Sequence, residues 1–195
     1  MRALPCQPLA AGLAWAVMLA APAAAQEINA DSQRTEILGT APSACVIDAP
    51  VAANAVNASF SGTGVASGQI VIAQFVDPQN ANPLASSIEL ALPVICNASH
   101  HLTVRSGNGG LLRSGGDASR RQAANRFADF VSYNLSVDWA GRTIDRASDR
   151  STIVMQGNDA RAGDLALRIS TPAGGGPLTA GRYDDTIVVE FRAAN

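Results

Sequence analysis

The sequence contains no lysine, and all 14 of its basic residues are arginine, against 16 acidic ones. The arginines are scattered, with Arg120-Arg121 the only adjacent pair. There is therefore no basic stripe of the kind a phosphate backbone needs, and no nucleic-acid partner is expected. Long apolar runs are also missing. The best candidate, Leu9 to Ala21, is shorter than the roughly 20 residues that cross a hydrocarbon core, so no membrane insertion is expected. There is no C-x-x-C, no H-x-x-x-H and no H-E-x-x-H, which removes the usual frames for thiol redox chemistry and for zinc. No internal repeat and no helical period of apolar residues is evident.

Among the features that are present, the amino-terminal stretch has a secretory layout. Arg2 precedes the apolar run, and Ala23-Ala24-Ala25 offers a small-residue cleavage site. Residues 1–25 read as a signal peptide, with the mature chain beginning at Gln26. Of the three cysteines, Cys6 lies ahead of the apolar run and leaves with the signal. Cys45 and Cys96 remain in a chain bound for an oxidising compartment, and one disulfide between them is expected as a structural staple. A mature length of about 170 residues fits one domain.

Apolar and polar residues alternate with period two in four places, the mark of half-buried strands. Ile88, Leu90, Leu92, Val94 and Cys96 share one face; so do Tyr133, Leu135, Val137 and Trp139. Leu165, Leu167 and Ile169 form a third set, and Tyr183, Asp185, Ile187, Val189 and Phe191 a fourth. Shorter candidates run over 45–48, 69–75, 101–105 and 152–155. Turns are expected at Ser61-Gly62-Thr63-Gly64, Asp77-Pro78, Ser106 to Gly110, Ser114-Gly115-Gly116 and Pro172 to Pro177, and a loop over 117–128. Many short strands joined by glycine-rich turns predict an all-β sandwich. The run from Tyr183 to Phe191 is the strongest strand, and only four residues follow it. An apolar edge there is expected either to be covered by an earlier strand or to await a partner.

The segment Ala180-Gly181-Arg182-Tyr183-Asp184-Asp185-Thr186-Ile187-Val188-Val189 resembles the A-G-x-Y-x-D-T-φ-x-V ending of the spore coat protein U domain, where φ is apolar. Ala44-Cys45-Val46, Val94-Ile95-Cys96-Asn97 and Tyr133-Asn134-Leu135 agree with it. The resemblance marks Gly181, Tyr183, Asp185 and Thr186 as motif residues. It implies an immunoglobulin-like β-sandwich over 45–195 that lacks its final strand, in a subunit of an archaic chaperone–usher pilus. The implied partners are a periplasmic chaperone, an outer-membrane usher and neighbouring pilus subunits. Each strand-donating partner would add a strand to an open edge. Ile187, Val189 and Phe191 are then the expected lining of the acceptor groove. Residues 26–44 form an amino-terminal extension whose bulky residues, Ile28, Ile37 and Leu38, make a weak candidate donor, as in a tip or minor subunit.

Sharper chemical readings give way to plainer ones. His100-His101 has no further ligands near it in sequence and is expected on the solvent side of a strand. Asp184 and Asp185 are successive strand residues and point to opposite faces, which argues against a paired acid and base. The glycines of 107–110 lack the Lys-Ser/Thr ending of a phosphate loop. The sequons at Asn57, Asn97 and Asn134 are read as chance, and Tyr133 and Trp139 as core residues. No cofactor and no catalytic group is expected. The alternative to a fibre subunit is a self-contained secreted binding module that completes its own sandwich and holds a glycan or other surface ligand.

Overall fold

The computed structural model describes residues 36–64, 67–150 and 152–194. The expected signal peptide and Ile28 lie outside them. Among the described residues the chain is all strand and loop. In chain order the strands are β1 (Cys45–Ile47), β2 (Val51–Val56), β3 (Ala58–Gly64), β4 (Ser67–Ile72), β5 (Ser86–Cys96), β6 (His100–Ser106) and β7 (Leu111–Arg113). They continue as β8 (Phe130–Val131), β9 (Asn134–Trp139), β10 (Arg142–Ala147), β11 (Ile153–Gly157), β12 (Arg161–Thr171), β13 (Tyr183–Asp184) and β14 (Ile187–Ala193).

The larger layer is antiparallel. It runs β1-β5-β12-β9-β10, with β2 following β1 along the same edge of β5. Facing it is a three-stranded sheet, β11-β6-β14. β3 and β4 form a separate hairpin, and β13-β7-β8 a small third sheet. The alternation read from the sequence becomes the core. Ile88, Leu90, Leu92, Val94 and Cys96 of β5 are all buried, as are Leu135, Val137 and Trp139 of β9. They pack with Leu102, Val104, Ile153 and Met155 of the facing sheet. Each such side chain stabilises the fold by roughly 1.5–3 kcal/mol.

A proline inside a central strand normally removes a ladder bond, yet Pro93 sits in the middle of β5. Its carbonyl accepts the Asp48 N–H at 2.9 Å. In an antiparallel ladder a residue's N–H and C=O point to the same side, so the missing N–H of Pro93 faces the break between β1 and β2, where no strand residue needs it. Cys45 and Cys96 are directly opposed in the β1–β5 register and are joined by a disulfide.

Three local expectations are corrected. Tyr183 to Phe191 is not one strand. Tyr183 and Asp184 pair with β7, whereas Ile187 onward pairs with β6, and the ladder breaks at Asp185-Thr186, opposite the loop between β6 and β7, where the Asp185 side chain holds Ser106 and Tyr133. Ser61 to Gly64 is no turn but part of β3, paired to β4. His100 is buried, not solvent-facing. Its Nε2 accepts the Trp139 indole N–H at 2.9 Å, and its Nδ1 faces the Ala98 carbonyl at 3.1 Å. The expected loop over 117–128 does form a loop, and His101 is exposed.

Candidate functional site

The hydrogen-bond phase of β14 shows which of its backbone groups are spoken for. Gly107 N–H donates to the Thr186 carbonyl and Ala194 N–H to the Ser99 carbonyl, both at 2.7 Å. Antiparallel pairs alternate, so 186, 188, 190, 192 and 194 turn their backbone groups toward β6. The N–H and C=O groups of Ile187, Val189, Phe191 and Ala193 therefore face the other edge. Among the described residues no strand pairs with that edge.

Beside it lies an open groove of about 970 Å³. Its floor is the inner face of the large layer, where Ile88, Leu90 and Leu92 of β5 and Leu167 and Ile169 of β12 are reached. Ile187 and Val189 form part of one wall. Both are only half-buried although they pack on the main core. Phe191 does not line the groove. Its ring stands edge-on to Trp139, with centroids 5.1 Å apart, and lies 5.8 Å from His100. The other edge strands differ in character: β10 carries Arg142, Asp145 and Arg146, all exposed, which is how a sheet edge is protected against further pairing. The candidate donors Ile37 and Leu38 lie in coil and are exposed.

One end of the groove is built by the motif residues. Asp185 Oδ1 accepts the N–H of Asn108 at 2.8 Å and that of Thr186 at 2.7 Å. Its Oδ2 accepts the Tyr133 hydroxyl at 2.7 Å and the Ser106 hydroxyl. Burial, and secondarily the Asp185 carboxylate holding its proton, pushes the Tyr133 phenol well above its ordinary range. Tyr183 packs its ring on Phe75, and its hydroxyl lies 2.8 Å from the carbonyls of both Ala128 and Thr179. Burial raises its pKa as well. Gly181 has φ +149°, and a Cβ there would come within 3.0 Å of the Arg113 side chain. Arg113 in turn donates from Nε to the buried Asp129 carboxylate at 2.9 Å. The motif thus fixes the turn into β14 and the loops around it.

Asp184 is exposed while Asp185 is committed to four donors, so the two do not form an acid–base pair. Among the described residues no three His, Cys, Asp or Glu side chains cluster to hold a metal ion. Asn57 and Asn97 use their side chains on backbone groups: Asn57 ties Gln74 and Ala85, and Asn97 ties Pro42 and Ala44. The sequence reading missed the hairpin residues Phe60 and Ile70, which pack on the core and line the groove. Their register partnership, Phe60 opposite Ile70, was hidden by the glycines and serines between them.

Fold and groove together define a β-sandwich whose smaller sheet ends on an unpaired, apolar-flanked edge. The chain belongs to the spore coat protein U domain family, whose model matches residues 24–190. No curated protein and no solved structure matches the chain. The family is a structural one, associated with pilus-like surface assemblies of the chaperone–usher kind.

Proposed function

We propose that the chain is a structural subunit of a bacterial surface fibre of the chaperone–usher type. A periplasmic chaperone lends it a strand during export, and a neighbouring subunit replaces that strand at the outer-membrane usher. The observation that carries this reading is the unpaired edge of β14 beside an apolar groove of about 970 Å³. Strand addition suits such an edge, since main-chain hydrogen bonds supply affinity and the groove receives alternate side chains. A donor burying four or five apolar groups gains on the order of 6–15 kcal/mol before ordering costs. The Asp185 network supports the same reading, because it holds the acceptor edge in place without help from the occupant.

The test compares two Val→Asp substitutions in the full chain, co-produced with its chaperone and usher. Val189 lines the groove, whereas Val154 is exposed on the outer face of β11. Val189→Asp places an unpaired carboxylate where apolar side chains must seat. The expected outcome is loss of the chain from sheared surface fibres for Val189→Asp and retention for Val154→Asp. Incorporation of Val189→Asp at the unsubstituted level would overturn the proposal.

A further inference from the structure

The large layer ends on two edges of opposite character. β10 closes one with exposed charge, Arg142, Asp145 and Arg146. β2 lies along the other, and no residue from Ala49 to Val76 is charged. Every residue of β2 is exposed, Val51 at 61% and Val56 at 65%. Its one polar residue, Asn54, gives its side chain to Glu89 on the neighbouring strand. Among the described residues β2 pairs with β5 alone, and none of its residues lines the groove beside β14.

The backbone phase of β2 follows from its neighbour. The Pro93 carbonyl accepts from Asp48, and the Asn97 N–H donates to Ala44. Odd-numbered residues of β5 therefore turn their backbone groups toward β1 and β2. Their partners Val51, Asn54 and Val56 are the bonded ones, so Ala52 and Ala55 turn their N–H and C=O groups outward. In a regular strand, residues that face the same way are an even number of positions apart. Ala52 and Ala55 break that rule because the register shifts between Ala52 and Asn54.

The strand sequence, Val51-Ala52-Ala53-Asn54-Ala55-Val56, is close to a palindrome centred between Ala53 and Asn54. Two copies laid antiparallel about a two-fold axis through that centre set Val51 opposite Val56 of the second copy, and Ala52 opposite Ala55. A regular strand in this register would put an outward residue opposite an inward one. The bulge changes the phase at the centre, so Ala52 and Ala55 both present free groups and match. A bulge ordinarily blunts an edge; here it brings the edge into phase with its own reverse.

We propose that β2 is the contact strand of an isologous pair, in which two copies of this chain join their large layers into one continuous antiparallel sheet. Each Ala52–Ala55 pair exchanges two main-chain hydrogen bonds. The valines share the outer face with Ala91 and Ser87 and meet across the axis as non-bonded pairs. A partner of different sequence would not require the strand to be self-complementary. The lack of charge serves the same end, because a two-fold axis sets like charges against each other. Successive subunits of a strand-exchanged fibre are related head to tail, whereas a two-fold contact closes on itself. Resting on the fibre reading above, the β2 contact therefore joins copies of different fibres and bundles them side by side. The pairing itself does not depend on that reading.

The test uses the full mature chain in two versions, Val51→Cys and Val56→Cys, both at exposed sites, with the Cys45–Cys96 bond intact. A non-bonded pair sets its Cα atoms about 4.5 Å apart, within disulfide range, while like positions lie roughly 15 Å apart along the strands. Mild oxidation of the mixture should give covalent dimer at about tenfold or more the yield of either version alone. Equal yields from the mixture and from single versions would overturn the proposal. So would a mixed dimer no more abundant than that of Val51→Cys with Val154→Cys, an exposed site on β11. In cells that form fibres, Val51→Lys combined with Val56→Lys opposes lysine to lysine in the paired register. Fibres should then be undiminished in amount but dispersed in electron micrographs, and bundles that persist would overturn the β2 contact. Mixed dimers from a chain that forms no fibres would keep the contact and overturn the fibre reading instead.

Discussion

Asp185 collects donors from Ser106, Asn108, Tyr133 and Thr186, so one carboxylate joins the end of β6, the turn after it, the entry to β9 and the start of β14. Replacing Asp185 with alanine removes the carboxylate that accepts from the Tyr133 and Ser106 hydroxyls and from two backbone N–H groups, and losing the partner of buried polar groups costs about 1–3 kcal/mol. Tyr133→Phe removes the donor instead and should cost less, about 1 kcal/mol. Urea denaturation of the two variants should rank them in that order. The alternation of the sequence did place Tyr133 and Trp139 in the core. It could not place His100, because the indole N–H that satisfies its ring comes from Trp139, 39 positions away. Contacts of that separation leave no local pattern.

At the level of elements, long strands with one buried face were legible and exposed ones were not. β5, β9 and much of β12 follow period two because one side of each meets the core. β2 is exposed along its whole length and its sequence, Val-Ala-Ala-Asn-Ala-Val, shows no alternation to detect. β10 carries charge on an edge and escaped notice for the same reason. The loop between β7 and β8 is held by Asp129, which is buried between Arg113 and Arg120 at 2.9 and 3.1 Å. The Arg113 guanidinium foremost holds the Asp129 carboxyl well below the usual carboxylate range. An unfolded aspartate titrates near pH ~3.9. The anchoring contribution is therefore complete above that pH and is lost as pH falls toward the folded value. Unfolding midpoints measured from neutral to acid should drop most steeply below about pH 4. Asp129→Asn should start lower and show a shallower acid decline; an unchanged slope would place the acid sensitivity elsewhere.

For the molecule as a whole, the sandwich class and the disulfide could be read from strand patterns and an even cysteine count. The unpaired edge of β14 could be read from its alternating apolar side chains. The hairpin that also lines the groove was read only in part: the strand expected over 69–75 overlaps β4, whereas Gly62, Gly64 and Gly68 resemble turn residues until their cross-strand pairing is seen. The disulfide also has a mechanical consequence. Cys45 is the first residue of β1 and Cys96 the last of β5. Tension applied to the residues ahead of Cys45 therefore passes by a covalent link into β5, whose 11 residues are registered against all 11 of β12, and it bypasses the three-residue ladder of β1. The 51-residue span between the two cysteines cannot be drawn out while the bond holds. Reduction should add about 170 Å to the contour length released when a single chain is stretched, at about 3.3–3.6 Å per residue. It should also lower the force at which the first extension begins, a difference that optical-trap records with and without reductant would show directly.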